Sequence, residues 1–103
     1  MERIERLSEF LKATPMDCFV KHALALEYIK QGEDGLAEEQ FRGLLQIDEN
    51  YIGSYYHLAK LLQRAGKDEE AITVYEKGME KAKAAGDRHA YSELQSALED
   101  LTF

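Results

Sequence analysis

The sequence predicts an all-α fold of stacked antiparallel helical hairpins, about six helices in all. Three observations predict it. A single proline accompanies abundant Ala, Leu, Glu and Lys, the residues that cost a helix least. Apolar residues recur with a 3.6-residue period and never sustain the alternation of a strand. Clusters of Gly, Asp and Asn cut the chain at Pro15-Met16-Asp17, Gly32-Glu33-Asp34, Asp48-Glu49-Asn50, Gly66-Lys67-Asp68 and Gly86-Asp87, each read as a helix stop, an N-cap or both.

Six periodic segments lie between these breaks. The first, about residues 3–13, places Ile4, Leu7, Phe10 and Leu11 on one face. The second, about 18–31, places Val20, Leu24 and Tyr28 on one stripe. The third, about 35–47, carries Ala37, Phe41, Leu44 and Leu45. The fourth, about 51–65, carries Tyr55, Leu58, Ala59 and Leu62. The fifth, about 69–85, carries Ala71, Ile72, Tyr75, Met79 and Ala82; the sixth, about 88–101, carries Tyr91, Leu94, Leu98 and Leu101. Short connections make neighbours antiparallel.

A shift of 34 residues superimposes the punctuation. Leu24-Ala25 falls on Leu58-Ala59, Gly32 on Gly66, Asp34 on Asp68, Ala37 on Ala71, Phe41 on Tyr75 and Leu45 on Met79. The matches fall at the tight packing positions and the turn. This period resembles the tetratricopeptide repeat, whose signature runs W-x2-L-G-x2-Y, then A-x3-F, then P. One copy supplies Lys21, Leu24, Ala25, Tyr28, Ala37 and Phe41; the next supplies Tyr55, Leu58, Ala59, Leu62, Ala71 and Tyr75. Lys21 stands where an aromatic is usual, and Glu49 and Lys83 replace the closing proline. The resemblance covers about residues 1–85 and implies one domain over 1–103. Its expected parts are a half-repeat helix at 1–16, repeats at 17–50 and 51–86, and a polar capping helix at 87–103. The cap shows Arg88, Ser92, Gln95, Ser96 and Glu99 outward.

The composition excludes other classes. Twenty acids against thirteen Lys and Arg give a net charge of −7, contrary to a nucleic-acid backbone binder. No apolar run reaches the roughly 20 residues of a membrane span. The opening Met-Glu-Arg-Ile-Glu-Arg has no signal-peptide character, so a cytoplasmic location is expected. One cysteine makes no internal disulfide.

Chemistry has few footholds. Cys18 follows Asp17 near a helix start, with His22 four residues on, so a thiol enzyme is a remote alternative. No third orienting group accompanies them. His22, His57 and His89 lack metal spacing, and His89 with Glu93 has no third ligand. Glu38, Glu39, Glu69, Glu70, Glu76 and Glu80 read as a solvated surface. No phosphate-binding loop occurs. The expectation is a non-catalytic module without metal or cofactor.

Binding is the better-founded expectation. In stacked hairpins the first helix of each pair lines the concave face. The second segment has a further apolar stripe of Phe19, His22, Leu26 and Ile29, ending at Lys30. The fourth segment offers Tyr56, Lys60, Gln63 and Arg64 at matching positions, and the sixth supplies a wall at Ala90, Leu94 and Ala97. The groove therefore runs from apolar to basic and suits a peptide, helix or protein surface. Two other readings stay open: the apolar stripe faces the first helix, or it pairs two copies as a homodimer. Some family members grip a carboxylate through Lys and Asn on these helices. The matching His22, Leu26, Tyr56 and Lys60 do not make that clamp. Charge is uneven, with eight acids and three bases in 17–50 but five acids and six bases in 51–86, a field that favours a protein partner.

Overall fold

The computed structural model describes residues 2–103. It contains α1 (Glu2–Ala13), α2 (Cys18–Lys30), α3 (Asp34–Ile47), α4 (Gly53–Arg64), α5 (Asp68–Ala85) and α6 (Arg88–Thr102). No strand occurs among the described residues. The helix order and type agree with the sequence reading, and ends move by one or two residues. The chain divides into two compact units between Tyr51 and Ile52.

In the first unit, α2 packs against both α1 and α3. Ile4, Val20, Leu24, Ala25, Ala37, Phe41 and Leu44 form its buried apolar set. Ala25 and Ala37 are small enough to let helix axes approach, and Phe41 fills the space beside them. Phe10 departs from its expected place: it is 56% exposed, while Leu7 and Leu11 on the same helix are partly buried. The α1 face that packs is therefore narrower than the apolar pattern suggested.

In the second unit, α5 packs against both α4 and α6, and α4 also touches α6. Tyr55, Leu58, Ala59, Leu61, Leu62, Ala71, Tyr75, Ala82, Leu94 and Ala97 are buried. The middle of α5 holds a glycine that the sequence reading passed over. A Cβ built on Gly78 would stand 2.7 Å from Tyr55 Cβ and 3.0 Å from Leu94 Cδ1, so α4, α5 and α6 meet where only a hydrogen fits.

The turns repeat as closely as the packing. Gly32 and Gly66, 34 residues apart, adopt φ of +76° and +77°, a left-handed conformation that glycine enters without steric cost. In the first turn, the Gly32 N–H donates to Ile29 O at 3.0 Å and the Glu33 N–H to Tyr28 O at 2.8 Å. In the second, the Gly66 N–H donates to Gln63 O at 3.0 Å and the Lys67 N–H to Leu62 O at 2.8 Å. This paired closure satisfies carbonyls that a helix end leaves open. It also shifts the following helix starts. Asp34 and Asp68 are the first helical residues, and Glu33 and Lys67 hold the N-cap positions without a side-chain cap bond. The carboxylates of Asp34 and Asp68, in the first turns, act on the helix dipole instead. Asp17 and Asp87 do cap, accepting from the Val20 N–H at 3.1 Å and the Ala90 N–H at 3.0 Å.

Candidate functional site

The residues expected to line a groove fall on both units, and each unit is taken by itself. In the first unit, Phe19 is 73% exposed, Leu26 and Ile29 are half-buried, and Lys30 is exposed. His22 is drawn into the packing. Its ring lies 5.6 Å edge-on from Phe41 and 5.4 Å from Tyr51. Arg3 of α1 bonds Glu27 at 2.6 Å, and Lys30 approaches the same carboxylate at 3.5 Å. Glu27 is one residue, about 100°, round the helix from Leu26. The Arg3–Glu27 ion pair thus lies beside the Phe19–Ile29 stripe.

In the second unit, α4 and α6 border an open cleft of about 370 Å³. Tyr56 and Lys60 line one wall; His89, Ser92, Glu93, Ser96 and Asp100 line the other, with Ala97 between. The Lys60 Nζ sits 5.6 Å from the centre of the Tyr56 ring, within cation–π range. His89 faces Glu93 at 3.6 Å. Burial pushes the pKa of His57, next to Tyr56, below the ordinary histidine value, and Glu93 partly opposes this. Of the expected wall, Ala97 lines the cleft, Ala90 is half-buried, and Leu94 turns inward to Gly78.

Gln63 is half-buried, and its Oε1 accepts a hydrogen bond from the Tyr75 hydroxyl. Burial, with smaller contributions from Tyr56 and Asp100, pushes the Tyr75 phenol up to about 12, so it remains a donor. Arg64 is exposed at the end of α4. The predicted packing residues take matching environments. Ala25 and Ala59, Ala37 and Ala71, and Phe41 and Tyr75 are all 0% exposed, and Leu24 and Leu58 are both 2% exposed. Tyr55 and Leu62 are buried, whereas Tyr28 is half-buried. The outward positions Arg88, Ser92, Gln95, Ser96 and Glu99 are exposed.

The surroundings of Cys18 do not activate its thiol. The Cys18 thiol donates weakly toward Leu44 O at 3.7 Å. Burial raises its pKa, and the carboxylates of Asp48 and Asp17 raise it further against a smaller opposing effect of Lys21. A catalytic thiol needs the opposite shift. Thiol titration is expected to give a Cys18 pKa above that of a free cysteine; a depressed value would restore the nucleophile reading. Among the described residues, no three His, Cys, Asp or Glu side chains form a metal-binding group. No described helix is long and apolar enough to cross a membrane.

This pattern of glycine-closed hairpins with alanine contacts defines a helical-repeat protein. A model of the tetratricopeptide repeat matches residues 52–84. The crystal structure of a tetratricopeptide repeat domain protein from Salinibacter ruber is 37% identical over 84% of this chain and 96% of that one, with a TM-score of 0.80. The chain belongs to the tetratricopeptide repeat family. A solution structure of a protein from Bordetella parapertussis is 27% identical over 96% of this chain and 86% of that one, with a TM-score of 0.83. MamA shares the fold at 17% identity and a TM-score of 0.70, over 96% of this chain and 66% of its own. No curated protein matches the chain. Tetratricopeptide repeats are in general protein–protein interaction modules and scaffolds rather than catalysts.

Proposed function

We propose that this chain is a non-catalytic module that binds a peptide or helix of another protein, and that the α4–α6 cleft is its principal contact. We read it as a half-repeat helix at 1–16, repeats at 17–50 and 51–86, and a closing helix at 87–103. The observation that carries the binding proposal is Lys60 held over the Tyr56 ring at a cleft edged by Ser92, Ser96 and Ala97. Small side chains admit a backbone or a helix face. Lys60 on one wall and Glu93 and Asp100 on the other give the cleft opposite charges on its two sides. Such a cleft favours one orientation of a partner carrying an acidic group. The exposed Phe19, with the half-buried Leu26 and Ile29 on the same stripe, adds an apolar surface on α2.

The test is an NMR titration with an amphipathic peptide bearing one acidic cluster. Shifts are expected at Tyr56, Lys60, Ser92 and Ser96. Lys60→Glu should weaken binding about tenfold, equivalent to about 1.4 kcal/mol, with the helical signal unchanged. Shifts confined to other surfaces, or an unaltered affinity in the variant, would reject the cleft as the binding site.

A further inference from the structure

Phe10 stands out among the apolar side chains. The 34-residue register places it before Leu44 and then Gly78, both of which are buried. Phe10 itself is 56% exposed. It shares an α1 face with Glu2, Glu5, Arg6 and Glu9, beside an open cleft of about 550 Å³. Arg6 pairs with Glu2 and Lys12 with Glu9 at 2.9 Å, so three carboxylates against two cations leave that face with one negative charge in excess. Aromatic side chains are enriched at protein interfaces relative to the rest of the surface.

A complementary surface lies on the other unit. A cleft of about 580 Å³ opens at the turn between α5 and α6, bordered by Ala82, Lys83, Asp87, Arg88 and Tyr91, two cations against one carboxylate. Lys83 and Arg88 have no ion-pair partner among the described residues. The two surfaces are opposite in charge excess, and each supplies an aromatic ring. We propose that the Phe10 face of one copy docks into the α5–α6 cleft of a second copy. Phe10 then lies over Ala82 beside Tyr91, while Glu5 and Glu9 approach Lys83 and Arg88. The two surfaces differ, so the contact is heterologous and joins copies head to tail. The α5–α6 and α4–α6 clefts share Ser92, so Phe10→Ala, which leaves the α4–α6 cleft untouched, separates this contact from peptide binding there.

Sedimentation of the full chain over a concentration range tests it. The mean mass is expected to rise above the 11.8 kDa of one copy at low salt. It should fall back at about 1 M salt, where charges are screened within roughly 3 Å. Two double variants resolve the polarity. One is Glu5→Lys with Glu9→Lys; the other is Lys83→Glu with Arg88→Glu. Each alone should stay monomeric, because the altered surface now repels its complement. Mixed in equal amounts, the native surface of each meets its native complement on the other, and the two reversed surfaces are again opposite in charge, so the mean mass should rise above that of either variant alone. Circular dichroism checks their folding, and Phe10→Ala supplies an uncharged test in which association also falls. A wild-type chain that is monomeric throughout would overturn the proposal. So would association that persists in either double variant or in Phe10→Ala, or a mixture that fails to pair.

Discussion

Replacing Gly78 by alanine is expected to destabilise the protein by about 1–3 kcal/mol, the usual range for overpacking a filled core. The sign is the informative part. Alanine is the better helix former by roughly 1 kcal/mol, so at an open site in α5 the change would stabilise. At Gly78 the added methyl would stand 2.7 Å from Tyr55 Cβ and 3.0 Å from Leu94 Cδ1. Tyr55 Cβ is fixed to the α4 backbone and cannot swing aside as a side-chain tip can. Either α4 moves away from α5, or both helices bend. Urea denaturation measures the result. A more stable variant would show that these helices separate with little loss of packing.

Tyr75→Ala should cost more, about 3–5 kcal/mol, by removing a large aromatic side chain from the core. That is a large part of the 5–15 kcal/mol that holds a typical domain folded. Tyr75 is 0% exposed and donates its hydroxyl to Gln63. The control is Tyr75→Phe, which keeps the ring and loses only the hydrogen bond, for about 0.5–1.5 kcal/mol. Denaturation of both variants separates ring packing from the hydroxyl contact. Equal losses in the two would mean that the hydroxyl contact, rather than the ring, carries the stability.

The fold was largely legible in the chain because its signals are local. Gly32, Gly66 and Gly86 mark helix ends through a backbone conformation that other residues avoid, and all three adopt it. Ala37 and Ala71, four residues before Phe41 and Tyr75, mark the close helix contacts, and the structure buries all four. The errors came where a residue type has two uses. Glycine served as punctuation throughout the sequence reading, so Gly78 inside a helix went unread as a contact. The signal that could have found it is its place, three residues after Tyr75 and level with Leu44 of the preceding copy. Asp34 and Asp68 read as caps, but the glycine closure before them takes up one more residue and moves them into the helix.

The site was less legible. Periodicity assigns residues to faces of a helix, yet it does not say what lies opposite. His22 and Leu26 share a stripe by spacing, but His22 packs against Phe41 and Tyr51. Gln63 has the spacing of a groove residue, and its amide is engaged by Tyr75. Phe10 belongs to the apolar face of α1 by count, and its exposure depends on what α1 packs against. These are properties of tertiary neighbours, which a single-helix pattern does not encode.

Nearly all helix packing within each unit is between partners consecutive along the chain. Such contacts form by closing short loops, and the entropy lost on closure grows only slowly with loop length. A chain built this way has low contact order and belongs among proteins that fold in microseconds to milliseconds. The turns at Gly32 and Gly66 bring paired helices together before distant segments need to meet, which leaves little time for exposed apolar faces to find the wrong neighbour.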